Sequence, residues 1–168
     1  VGKRQVGSTV KPYIYTLAMD EGMWPCDTTA YIPITLIDGN GKEWTPKESH
    51  KVPDSDIGKT VTLSWGLAQS SNWMSAYLMS LFTPEQLVKT MRSFGIEGQL
   101  DPVVSLCLGP CEVSVAEMVD AYTTFPNKGI RVEPLFVTRI EDNNGNVIAT
   151  FTPKTHEIIS EQTAYKMI

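Results

Sequence analysis

Ser8-Thr9-Val10-Lys11 is the stretch on which the interpretation of this 168-residue chain depends. If Ser8 begins a helix, Lys11 lies three residues later on the same helical face, where its amine can reach the serine oxygen. A serine hydroxyl is a weak nucleophile unless a nearby base accepts its proton. A lysine is such a base only when desolvation lowers its pKa, and the largely apolar residues 12–19 would bury this helix. The stretch predicts a nucleophilic Ser8 whose backbone N–H is one oxyanion donor.

A second polar triplet, Ser70-Ser71-Asn72, lies in the middle of the chain. An apolar helical stretch from Val61 to Ala68 precedes it, and another begins at Trp73. A polar triplet at the junction of two apolar helices directs its side chains into a cleft, which we expect Ser8 to share. Each pattern alone has a simpler interpretation. The first is also typical of a serine helix cap with its lysine in solvent, and the second of an ordinary turn.

Several segments together resemble class A penicillin-binding proteins, the bifunctional peptidoglycan synthases. The likeness runs from Val1 to about Asn146. It rests on a nucleophile segment, a W-x-P loop, a second motif and a stretch that ends in A-Y-x-x-F-x-N-x-G. These are Arg4-Gln5-Val6-Gly7-Ser8-Thr9-Val10-Lys11-Pro12, Trp44-Thr45-Pro46, Gly66-Leu67-Ala68-Gln69-Ser70-Ser71-Asn72, and Ser105 to Gly129. The departures from the family's pattern are Val6, Pro126 and the pair Cys107 and Cys111.

The resemblance implies D,D-transpeptidation, in which a stem peptide ending in D-Ala-D-Ala acylates the serine and an amine from a neighbouring strand then takes the acyl group. β-Lactam antibiotics would acylate the same serine, and no cofactor or metal is implied. The implied roles are Ser8 as nucleophile, Lys11 as its base, Ser70 as a proton relay to the leaving amine, Asn72 as a ligand of the substrate amide, and Ser71 and Thr9 as substrate-binding residues. We expect the parent protein at the periplasmic face of the inner membrane, with its anchor and a glycosyltransferase domain outside these residues.

The family's third motif, Lys-Thr-Gly or Lys-Ser-Gly, does not occur in these residues. Lys-Thr pairs do occur, but none is followed by glycine: Lys59-Thr60, Lys89-Thr90 and Lys154-Thr155. In the family this motif supplies a substrate-binding strand and the second oxyanion donor. We therefore expect residues 1–168 alone to be inactive.

Two other functions remain open at this point. A serine β-lactamase shares both motifs and needs a glutamate that activates a deacylating water. Glu97-Gly98-Gln99-Leu100-Asp101 resembles such an element faintly, but it ends in Asp. The second alternative is a penicillin-sensing or structural module that keeps the motifs without turnover.

Composition narrows the function without deciding it. A net charge of −5 and a pI near 5.0 argue against nucleic-acid binding, which requires a basic surface. No run of 18 apolar residues occurs, and we expect neither a membrane span nor a signal peptide within these residues. His50 and His156 are isolated, without ligand-like spacing. The three cysteines cannot all pair, and a Cys107–Cys111 disulfide and two buried thiols both remain open.

The predicted fold class is α+β and mainly helical: a partial penicillin-binding transpeptidase or serine β-lactamase-like fold that lacks most of the central sheet. Residues 1–168 form one partial domain, with a polar loop region at 24–60 that is too polar for a core and a small hairpin at 135–151. Without the sheet, apolar surface would be exposed and could cause self-association. The predicted helices run from about Ser8 to Asp20, on both sides of residues 70–72, from the Thr83 capping box to Gly95, from the Ser114 capping box to about Thr124, and onward from Ser160.

Overall fold

The computed structural model describes residues 2–168 and contains, within them, six α-helices and ten short strands. The helices are α1 (Lys11–Asp20), α2 (Leu63–Ala68), α3 (Asn72–Leu81), α4 (Pro84–Ser93), α5 (Val115–Thr123) and α6 (Glu161–Lys166). The strands are β1 (Lys3–Gln5), β2 (Thr28–Ala30), β3 (Leu36–Ile37), β4 (Glu43–Trp44), β5 (Thr60–Thr62), β6 (Glu112–Ser114), β7 (Ile130–Val132), β8 (Arg139–Glu141), β9 (Val147–Thr150) and β10 (Thr155–Glu157). Two 3-10 helices span Gly7–Val10 and Val104–Leu108.

The strands form five separate antiparallel pairs, and residues 2–168 contain no larger sheet. The pairs are β1–β6, β2–β5, β3–β4, β7–β10 and β8–β9. In the first pair, Lys3 lies opposite Ser114, so the strand that precedes Ser8 is joined to the start of α5. Residues 2–168 therefore contain only two-stranded sheets, which agrees with the predicted partial α+β fold without most of its central sheet.

Helix α1 forms the centre of the core. Tyr13, Ile14 and Ala18 are completely buried in it, and the helix packs against α3 and α4. The Tyr13 ring meets the Phe94 ring edge-on, with 5.3 Å between ring centroids. Each large apolar side chain buried in this way contributes about 1.5–3 kcal/mol to stability. The apolar run after Lys11 thus places that lysine at the base of a packed core.

Local hydrogen bonds fix the helix starts that the sequence predicts. Thr83 and Ser114 both form reciprocal capping boxes, with Gln86 and Glu117 respectively. The Ser160 hydroxyl accepts a hydrogen bond from the Thr163 N–H at 3.0 Å and begins α6. These caps depend on contacts within four residues, and they form where the sequence places them.

The first helix begins differently from the prediction. Residues 7–10 form a 3-10 helix, and the α-helix begins only at Lys11. The Val6 and Gly7 N–H groups donate to the carbonyls of Cys111 and Gly109, both at 3.0 Å. These contacts to a distant segment hold the first turn in the tighter geometry.

Two further boundaries differ from the prediction. Val61 lies in β5, because a β-branched run paired with β2 favours a strand over a helix start. The strand expected from Leu135 is restricted to Arg139–Glu141.

Residues 24–60, predicted to be a loop too polar for the core, contain β2, β3 and β4. Their Tyr31 and Leu36 side chains are buried, with only 3% and 7% of their surface exposed.

All three cysteines, Cys26, Cys107 and Cys111, are free thiols, so no disulfide joins the last two. Within residues 2–168, no helix combines the length and the apolar character that crossing a membrane requires.

Candidate active site

The turn that carries Ser8 is held by backbone contacts to residues 109–111, and Ser8 itself is exposed. Its Gly7 N–H is bound by Gly109, whose φ of +73° suits a glycine. A Cβ atom at Gly109 would lie 2.1 Å from the Gly7 carbonyl oxygen, so the two backbones meet without room for a side chain. The Ser8 hydroxyl does not cap the helix, because the capping position is Val6 and no side chain bonds there.

The Lys11 side chain is buried, with 1% of its surface exposed. Its Nζ donates to Asn72 Oδ1 at 2.8 Å, to Ser70 Oγ at 3.1 Å and to the backbone carbonyl of Ser70. An ammonium group has three N–H donors, and these three acceptors use all of them. The structure therefore excludes the simpler interpretation of a helix start with its lysine in solvent.

The pKa of Lys11 is held below its ordinary value of 10.5. Burial is the largest cause, because it disfavours the charged amine, and the negative charge of Glu48 acts in the opposite direction. A lowered pKa is what a lysine needs to accept a proton near neutral pH.

Among residues 2–168, no hydrogen bond joins the Lys11 amine to the Ser8 hydroxyl; the amine is directed to Ser70 and Asn72 instead. Ser8 lies one short turn before Lys11 on the same segment. Losing one proton would leave the amine with a lone pair and two N–H groups. A serine hydroxyl that approached it could then donate to that lone pair.

Ser70 has a left-handed backbone with φ +52°, which is uncommon for a residue other than glycine. It lies between α2 and α3, where the Ser70 N–H donates to Leu67 O at 2.9 Å and the Ser71 N–H donates to Gly66 O at 3.0 Å. This conformation reverses the chain and turns the Ser70 carbonyl toward Lys11. A strained backbone of this kind costs about 1–3 kcal/mol and is typical of functional sites.

Both ends of the Asn72 side chain are held. Its Nδ2 donates to the Lys47 carbonyl at 2.7 Å, which leaves Oδ1 directed at Lys11. The next residue, Trp73, donates from Nε1 to Pro46 O at 3.1 Å. Because an amide oxygen has two lone pairs and its nitrogen two hydrogens, Asn72 keeps one acceptor and one donor for a substrate.

The structure gives Ser71 a different place from the substrate-binding one that the resemblance implies. Its side chain is 1% exposed, and its hydroxyl accepts from the Met74 N–H at 3.1 Å while donating to Glu48. It is the N-cap of α3, and a hydroxyl already used in both directions inside the protein has no route to a substrate. Thr9, in contrast, is exposed.

Glu48 is the site residue that sequence reasoning missed. Its carboxylate accepts from the Asn72 N–H at 2.9 Å, the Trp73 N–H at 3.1 Å and the Tyr31 hydroxyl at 3.2 Å, in addition to Ser71. Its position two residues after Pro46 of the W-x-P loop was the available signal.

Two residues from distant elements lie near the Ser8–Lys11 segment. The Tyr122 hydroxyl on α5 donates to the Thr9 carbonyl at 2.7 Å and thereby connects α5 to the turn that carries Ser8. Cys107 is fully buried, and burial raises the pKa of its thiol to about 12, so it stays neutral.

Within the described residues, no cluster of three His, Cys, Asp or Glu side chains is arranged to hold a metal ion.

The sequence matches known proteins along most of its length. A family model described as penicillin binding protein transpeptidase domain matches residues 2–168. Penicillin-binding protein 1A of Escherichia coli strain K12 is 33% identical over 153 residues, which cover 90% of this chain and 18% of that protein. Penicillin-binding protein 2D of Bacillus subtilis strain 168 is 31% identical over 172 residues, which cover 97% of this chain and 23% of that protein. This chain therefore spans less than a quarter of either relative's length.

Solved structures match the fold equally broadly. Penicillin-binding protein 1A from Haemophilus influenzae matches with a TM-score of 0.82 and 24% identity, covering 98% of this chain and 29% of that one. An imipenem acyl-enzyme complex of penicillin-binding protein A from M. tuberculosis also matches with a TM-score of 0.82, at 18% identity, covering 98% of this chain and 42% of that one. At these identities the likeness concerns the fold, and it confirms the predicted fold class.

Proposed function

Since the chain belongs to the family of penicillin-binding protein transpeptidase domains, we propose that it is the part of a peptidoglycan D,D-transpeptidase that carries the nucleophile and its base. The proposed substrates are stem peptides ending in D-Ala-D-Ala, and the proposed inhibitors are β-lactams. The relatives named penicillin-binding protein 1A and 2D support a transpeptidase role.

One observation carries the proposal: the buried Lys11 amine is held by Ser70 and Asn72 one short turn from the exposed Ser8. A base of lowered pKa beside an accessible hydroxyl is the arrangement that activates a serine. In this site the arrangement uses side chains from two segments that are distant in the sequence, residues 8–11 and residues 70–72.

The proposed reaction has two halves. The Ser8 oxygen attacks the carbonyl between the two D-alanines, its proton passes to Lys11, and Ser70 relays a proton to the D-alanine that leaves. A free amine from a neighbouring peptidoglycan strand then attacks the acyl-serine ester, forms the cross-link and restores Ser8. Asn72 would bind the substrate amide through its remaining donor and acceptor.

Other parts of the whole protein belong to the proposal as well. We assign the second oxyanion donor and the substrate strand to a Lys-Thr-Gly or Lys-Ser-Gly element elsewhere in the protein, because residues 1–168 contain neither. The class A resemblance adds a glycosyltransferase domain and a place outside the cytoplasm, at the periplasmic face of the membrane.

The test is covalent labelling of the full-length protein with a fluorescent penicillin. Ser8→Ala should abolish labelling, and Ser93→Ala, which removes an exposed serine hydroxyl at the end of α4, should not. Persistent labelling of Ser8→Ala would overturn the assignment of the nucleophile.

The two alternatives give different results in the same experiment. Rapid loss of the label by hydrolysis would indicate a β-lactamase. Stable labelling without cross-linking of stem peptides would indicate a non-catalytic sensor.

A further inference from the structure

Glu48 lies in a loop, but its carboxylate accepts hydrogen bonds from four different residues. One carboxylate oxygen accepts from Ser71, Trp73 and Tyr31, and the other accepts from the backbone of Asn72. The donors include the Asn72 and Trp73 N–H groups, which have no partner within the first turn of α3. The helix dipole also favours a negative charge at this position.

The contacts of Glu48 and its neighbour hold the chain on both sides of Asn72 and directly after Ser70. Ser71 and Trp73, which bind Glu48, directly flank Asn72, and Ser71 follows Ser70. The adjacent Lys47 fixes the Asn72 amide. A shift of this loop would therefore move both residues that accept hydrogen bonds from Lys11.

We propose that Glu48 is a positioning residue for acyl transfer. It holds Ser70 and Asn72 against Lys11, and it supplies a negative charge that acts on the Lys11 amine. This inference rests on the proposed function of the site. It assigns Glu48 no contact with substrate.

The charges around Lys11 support the second half of the inference. Glu48 raises the pKa of Lys11 and so opposes the effect of burial. The Cys107 thiol, on the second 3-10 helix, also faces Lys11 but remains neutral because burial raises its pKa to about 12. Burial and the Glu48 charge likewise raise the pKa values of Tyr15 and Tyr31, to about 12 for Tyr31, so both phenols also remain neutral.

The test is the pH dependence of penicillin acylation in the full-length protein with Glu48→Gln. The variant keeps the length of the side chain but loses the charge and one of the two acceptor oxygens. We expect acylation to slow by up to about 10²-fold, since small displacements of reacting groups have effects of that size. We also expect the acid limb of the profile to move to lower pH, because an amine without the nearby carboxylate loses its proton more readily.

Two further variants make the result specific. Glu48→Asp retains the charge and should leave the acid limb where the wild type has it, although acylation slows. Glu43→Gln removes an exposed charge on β4 and should change neither property. Rates are compared per folded molecule, with thermal melting as the measure of folding.

Different outcomes would overturn the role of Glu48 and the proposed function of the site. A Glu48→Gln profile that superimposes on the wild type, or one that falls in rate while its acid limb stays in place, would overturn the positioning and charge role. A wild-type protein that is not labelled on Ser8 would overturn the proposed function, and this inference with it.

Discussion

Lys11 Nζ lies 2.8 Å from Asn72 Oδ1, and the other end of the same amide donates to the Lys47 carbonyl. The orientation of the Asn72 side chain is thus fixed by a loop that lies outside both the Ser8–Lys11 and the Ser70–Asn72 segments. This third segment therefore contributes to the relative position of the other two.

Acylation of Ser8 should follow the ionisation of Lys11. Because burial holds the pKa of Lys11 below 10.5, its neutral form is present at lower pH than for a lysine in water. The acylation rate constant should rise with pH and level off below pH 10.5. Stopped-flow measurement of acylation across the pH range tests this, and a rate that is independent of pH would exclude Lys11 as the base.

Lys11→Ala should slow acylation by about 10²–10⁴-fold, the usual contribution of a general base. Lys89→Ala, which removes an exposed amine on α4, is the matched control and should leave the acylation rate unchanged. A Lys11→Ala variant that is labelled at the control rate would show that another group takes the Ser8 proton.

Tyr122→Phe should lower stability by about 1 kcal/mol, because it removes the hydrogen bond to the Thr9 carbonyl. The ring itself, which packs edge-on against Tyr13, is retained. Urea unfolding and labelling rates measure the two effects, and we expect acylation to fall by less than about tenfold. Tyr165→Phe, at an 81% exposed position, provides the comparison.

Gly109→Ala should destabilise the protein by more than the roughly 1–2 kcal/mol that a left-handed backbone costs an alanine. The added Cβ would collide with the Gly7 carbonyl and displace the turn that holds Ser8. Gly145→Ala is the control, because its φ of +83° is similar but nothing lies within 4 Å of the added atom. Equal losses of unfolding free energy in the two variants would mean that the Gly7 contact is dispensable.

Residues 1–168 alone should be acylated far more slowly than the full-length protein. The absence of one oxyanion donor reduces such rates by about 10²–10³-fold, and the absence of a strand for the extended peptide should reduce them further. Second-order acylation rate constants for both proteins provide the comparison. Comparable values would show that this segment contains a complete site.

The sequence predicted those features that depend on near neighbours. The capping boxes at Thr83 and Ser114 form as expected, because each is complete within four residues. The fold class is also confirmed, since it rests on motifs distributed along most of the chain.

What the sequence could not predict depends on contacts between distant segments. The first turn is a 3-10 helix because Gly109 and Cys111 bind the N–H groups of Gly7 and Val6. Glu48 looks like an ordinary loop glutamate until the fold brings it to the start of α3. The W-x-P loop just before residue 48 is the one nearby signal, and it does not reveal that the carboxylate reaches the start of α3.

The backbone at Ser70 also bears on how this protein could be improved. A left-handed φ of +52° is a conformation that glycine adopts without strain. A sequence selected for folding alone would therefore favour glycine at position 70, and that replacement would delete the hydroxyl that faces Lys11. Engineering this segment for heat resistance and engineering it for turnover would select opposite residues at the same place in the chain.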